Sequence, residues 1–155
     1  MSTRFESWSM PPARFAEVSL ASRLTKLVEQ AERCYATPDA DAVHDLRVAI
    51  RRFSQALRIF NTLVDAKAVK QMRRALKRVM DAAAVVRDLD VGIERLIEEG
   101  VPAEDALLEE MRSERRRGGL ALSGWLLLLK SQEPEISWRP CFETRPAKGG
   151  GARAS

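Results

Sequence analysis

Four side chains in the run from Val43 to Phe60 have the types and spacing to hold an anion together: His44, Arg47, Arg51 and Arg58. At 100° per residue they fall within an arc of about 60° on one side of a helix. A guanidinium is planar, stays charged and can give two parallel hydrogen bonds to phosphate oxygens. An imidazole beside bound phosphate is favoured in its charged form, which would make His44 a pH-sensitive donor. No metal is expected, because His44 is the only histidine and no Cys or carboxylate stands at ligand spacing on its face. General-base work would need an orienting acid, and Asp45 points about 100° away on the wheel. Two plainer alternatives stay open: a solvated basic face, and a histidine with a packing role. Against the first, few acids offset these bases, and the bases flank only one edge of the apolar stripe.

That stripe is what must position them. Val43, Leu46, Ile50, Phe53, Leu57 and Phe60 recur at spacings of three and four, so the run reads as one amphipathic helix. A second helix repeats the design. Val69, Met72, Leu76, Val79, Met80, Ala83 and Val86 form its stripe, and Lys70, Arg73 and Lys77 lie beside it on the corresponding edge. Packed antiparallel, the two helices would line opposite walls of a groove, or one shared rim. From His44 to Arg78 there are ten bases against Asp45 and Asp65, a net charge of +8 where the whole chain carries +4. The remainder is therefore net acidic, and such asymmetry points to a polyanionic partner.

His44-x-x-Arg47-Val48-x-x-Arg51-Arg52, then Leu57-Arg58-x-Phe60, and later Arg87-Asp88-Leu89-Asp90-Val91 together resemble the CHAD family, the conserved histidine alpha-helical domain. The resemblance is strong over residues 40–97 and looser to about 130. It implies an all-α fold, an antiparallel four-helix bundle, and binding of inorganic polyphosphate through basic side chains without catalysis. It also implies a place at polyphosphate granules and a triphosphatase-type domain as a possible separate partner. Typical members are about twice as long and hold two such bundles, so this chain resembles the N-terminal half. A homodimer rebuilding the two-bundle arrangement is one expectation; a truncated or degenerate copy is the other. Ser54 stands where the family usually has a third base, and Ala84 where it usually has glycine.

Composition agrees with one domain. Hydrophobic content of 45% and charged content of 31% are ordinary for a folded chain. The longest apolar run, around Trp125 to Leu129, is too short to span a membrane. No apolar signal core follows the N-terminus, and Cys34 and Cys141 form no metal or disulfide pattern, so a reducing cytoplasm is expected. No cofactor is expected.

In chain order, 1–12 reads as a flexible leader, 13–132 as the helical domain and 133–155 as a Pro/Gly-rich disordered tail in which Trp138 and Phe142 have no evident place. The first helix should run from Ala13 to about Tyr35, with Phe15, Leu20, Leu24, Leu27, Val28 and Ala31 inward. Asp39 or Asp41 should cap the second. The third starts near Ala66 and meets a difficulty at Arg87, which would sit on the apolar stripe of an unbroken helix. Either the helix ends there with Asp88 capping the next, or Arg87 is paired, with Asp88 and Asp90 the nearby candidates; the resemblance to the CHAD family implies the pairing, with Arg87 also reaching the anion. Val91, Leu96 and Ile97 should face inward. The last helix runs from about Ala103 to Lys130. Its Arg115, Arg116 and Arg117 read as a salt-bridged surface rather than a second anion patch.

The site set is therefore His44, Arg47, Arg51, Arg58, Lys70, Arg73, Lys77 and Arg87. Nucleic acid is the alternative ligand, disfavoured because Phe53 and Phe60 belong to the core stripe and stacking needs exposed aromatics. A phosphatase or phosphotransferase would need an acidic metal cluster or a Gly-rich phosphate loop, and the basic region has neither.

Overall fold

The computed structural model describes residues 10–143. The expectations for the leader before Met10 and for the tail after Glu143 lie outside them. Four long helices carry the fold: α1 (Pro12–Ala36), α2 (Ala40–Ile59), α3 (Ala66–Glu98) and α4 (Ala106–Ser131). A 3-10 turn (Asn61–Leu63) joins α2 to α3, and a short α5 (Pro134–Ser137) and a second 3-10 turn (Arg139–Phe142) follow α4. There is no strand among the described residues.

Capping explains where the helices start. The Asp39 carboxylate accepts from the Ala42 amide at 2.8 Å, Asp65 from Ala68 at 3.1 Å and Asp105 from Leu107 at 2.8 Å. Each satisfies an amide that the first turn leaves without an intrahelical partner. Gly100, at φ 87°, takes the left-handed conformation in the turn that follows α3.

Short connections make successive helices antiparallel neighbours. α1 packs closely on α2 and α3 on α4, while α2 and α3 meet less closely and α1 and α4 less still. One core runs through all four. It contains Leu20, Leu24 and Leu27 of α1, and Val43, Leu46, Ile50, Phe53 and Leu57 of α2. Val69, Met72, Leu76, Val79, Ala83 and Val86 come from α3, and Leu122, Leu126 and Leu129 from α4.

Several expectations are corrected. α3 does not break at Arg87-Asp88 but continues to Glu98, so Asp88 caps nothing. Phe15 is exposed, set edge-on to Phe60 at 6.0 Å between ring centroids, because the start of α1 lies at the rim of the bundle. Val91 and Ile97 are exposed and Leu96 half-buried. Past Val86, α3 has chiefly the first half of α4 beside it, so a single narrow face is covered. That approach is close at Gly92, where a Cβ would stand 2.8 Å from the Met111 methyl.

The described part of the expected tail packs on the core. Trp138 and Phe142 are buried against Phe53, at centroid distances of 6.2 Å and 5.9 Å, Trp138 stacked and Phe142 edge-on.

Candidate anion-binding seam

Two observations fix which way the basic edges face. On α2, Asp45, Val48, Ala49 and Arg52 line a recess with Arg23, Lys26 and Glu29 of α1. That edge of α2 is the α1 side. His44, Arg47, Arg51 and Arg58 lie on the other edge of the stripe, towards α3. On α3, the Arg78 guanidinium sits 5.0 Å from the centroid of the Trp125 ring of α4. That edge is the α4 side. Lys70, Arg73 and Lys77 lie on the edge towards α2, while Arg87 falls on the apolar stripe itself. The two basic edges therefore border the same α2–α3 seam, where the helices are least tightly joined along the chain.

The seam lacks counter-charge. The one acid within the basic stretch of α2, Asp45, accepts from Arg33 of α1 at 2.6 Å. This hydrogen bond is also the main reason the Arg33 pKa is raised. Among the described residues, His44, Arg47, Arg51, Arg58, Lys70, Arg73 and Arg87 make no ion pair or hydrogen bond through their side chains. Lys77 alone of the eight is paired, to Asp81 at 2.8 Å, and both groups are exposed. Such a surface pair is weak and easily exchanged for another anion. Elsewhere some cations are matched, Arg14 with Glu17, Lys26 with Glu29, Arg115 with Asp90 and Arg139 with Glu135, while others such as Arg52, Arg74 and Arg95 have no carboxylate among the described residues.

Arg47 is the most constrained member. Its side chain is half-buried, and its Nε is shut off from solvent with no hydrogen-bond partner. A buried charged donor left unmet is costly, by roughly 1–3 kcal/mol or more. An acceptor arriving in the seam would relieve it.

At the end of the seam near the α2–α3 turn, Lys70, Arg73, Arg74 and Lys77 line a recess of about 430 Å³ with Asn61, Ala66 and Val69. No acid borders it. His44, Arg47, Arg51, Arg58 and Arg87 do not line this recess. Arg74 was not among the expected site residues. Its adjacency to Arg73 was the available signal, but the wheel turns it away from α2.

Arg87 is half-buried without a carboxylate partner. The expected pairing falls elsewhere: Asp90 holds Arg115 of α4, with Nε to Oδ1 at 3.0 Å, and the same guanidinium donates to the Pro38 carbonyl. One arginine thus ties α3, α4 and the α1–α2 turn together. Of the expected salt-bridged surface only Arg116 fits, paired loosely with Glu109 at 3.6 Å; Arg115 is mostly buried in the tie just described, and Arg117 has no carboxylate among the described residues.

The family model for the CHAD domain matches residues 18–138. The chain belongs to the CHAD-domain family. The match covers α1 from Val18 and all of α2, α3 and α4 of this CHAD domain, and extends through α5 to Trp138, so the Trp138–Phe53 stack falls within it. No curated protein and no solved structure matches the chain. Among the described residues, no group of three or more His, Cys, Asp or Glu could hold a metal ion. No described helix is long and apolar enough to cross a membrane.

Proposed function

We propose that this CHAD domain binds inorganic polyphosphate along the α2–α3 seam and does no chemistry on it. The observation that carries this reading is the unmatched charge: two helix edges bring seven bases to one seam, and among the described residues only Lys77 of these has a carboxylate. A linear polyanion fits such a row. One helical turn rises about 5.4 Å, of the same order as the spacing of neighbouring phosphates, so successive bases can meet successive phosphates. Arg47 gains most, since a phosphate oxygen would satisfy its buried Nε. The resemblance adds the cytoplasmic polyphosphate granule as location and a triphosphatase-type enzyme as a functional neighbour.

Nucleic acid is the competing ligand. It would use the same charges but needs exposed rings for its bases. Phe53 is buried beneath Trp138 and Phe142, and Phe60 is half-buried against Phe15. The test is a titration with long-chain polyphosphate at moderate salt, with single-stranded DNA of matched charge as competitor. Tight binding that DNA fails to displace is expected. Equal displacement by DNA would replace this reading with a generic polyanion surface.

A further inference from the structure

The second half of α4 breaks the rule for a surface helix. From Gly118 to Leu129 it contains no charged residue. Its inner face holds Leu122, Leu126 and Leu129 in the core. Its opposite face is also apolar: Leu120 is 75% exposed, Leu127 51% and Leu128 54%, and Gly124 between them has open space above it. A helix that is apolar all round is normally covered on every side. The face is also confined. N-terminal to Gly118 the same side of α4 carries Glu110, Ser113 and Arg117.

We infer that this face is covered by a second copy of the chain, with two α4 helices packed antiparallel across a two-fold axis at Gly124. The sequence is self-complementary about that point. Leu120 of one copy comes level with Leu127 and Leu128 of the other, and the two glycines face each other, letting the backbones approach closely. Charges agree as well. Antiparallel packing brings Arg116 and Arg117 of one copy to the Ser131–Glu133 end of the other. Arg117 and Glu133 have no side-chain partner among the described residues. A parallel pair would set the arginines against each other. The inference is independent of the proposed ligand, because the α4 outer face lies away from the α2–α3 seam and leaves it open.

The test uses the full chain. Sedimentation or light scattering at tens of micromolar should give twice the 17.4 kDa of one copy. The double variant L120K/L128K should give one copy with unchanged helical circular dichroism, since both side chains point away from the core. In a Cys141→Ser background, Gly124→Cys should form a disulfide-linked dimer on mild oxidation, because position 124 lies on the axis. Cys34 is buried and does not compete. A monomeric wild type would overturn the inference. So would a dimer that persists in L120K/L128K, or one that the cysteine at 124 fails to link.

Discussion

Asp45 accepts from Arg33 across the α1–α2 contact at 2.6 Å, while the bases of its own helix on the opposite edge have no carboxylate among the described residues. Placed one edge over, the same acid would have neutralised part of the seam. Its position lets α2 carry an uncompensated basic edge and still join α1 by an ion pair.

Arg47 should trade stability against binding. Removing an unmet buried donor while keeping an apolar stem, as in Arg47→Met, should stabilise the fold by about 1 kcal/mol. That corresponds to a melting midpoint roughly 2–4 °C higher. The same change should weaken polyphosphate binding several-fold. Thermal melts and titrations of one variant check both, and a lowered midpoint would mean that the Nε is satisfied in the free protein.

The Asp90–Arg115 pair should be structural. Both side chains are mostly buried, and Arg115 also serves the Pro38 carbonyl. Asp90→Ala or Arg115→Ala should each cost about 2–3 kcal/mol, because each leaves a partly buried charge behind. In denaturant melts the double variant should lose less than the sum of the two. Additive losses would show that the two groups are not coupled.

Trp138 should matter more than its place near the chain's end suggests. Trp138→Ala removes a buried ring stacked on Phe53 and should cost about 3–5 kcal/mol. Near-UV circular dichroism should lose tryptophan signal while most helix remains. A midpoint like that of the wild type would mean that residues 134–143 do not hold to the core in solution.

Cys34 makes alkaline stability steeper. Burial pushes its thiol up from the ordinary 9.0 to about 11. The folded state thus holds the proton more tightly than the unfolded chain does. The resulting stability is fully present below pH 9 and is lost as pH rises towards about 11. In a Cys141→Ser background, Cys34→Ala should flatten the fall of the melting midpoint between pH 9 and 11. An unchanged fall would contradict the burial.

Much of this was legible in the residues, for reasons that also mark where legibility stops. The α2 stripe is regular, and Val43, Leu46, Ile50, Phe53 and Leu57 are all buried. Asp39 was one of two caps in view, and it is the one used. The continuation of α3 through Arg87 was not legible, because a charge on the apolar stripe argues for a break unless its surroundings are known. The Asp90–Arg115 contact joins residues 25 apart and has no local signal. Trp138 and Phe142 sit in a segment too short to show a period. Val91 and Ile97 keep the spacing of a buried face, but the bundle does not extend far enough to cover them.

The central claim is that the α2–α3 seam, rather than overall basicity, binds polyphosphate. The most direct measurement is the affinity of Arg47→Ala/Arg51→Ala/Lys77→Ala for long-chain polyphosphate across a salt series, beside Arg52→Ala on the α1 side of α2 as control. The triple variant should bind about a hundredfold more weakly, with a shallower dependence on salt because fewer counterions are released. Its helix content should match the wild type, and Arg52→Ala should bind nearly as the wild type does. Normal affinity in the triple variant, or an equal loss in the control, would contradict the seam.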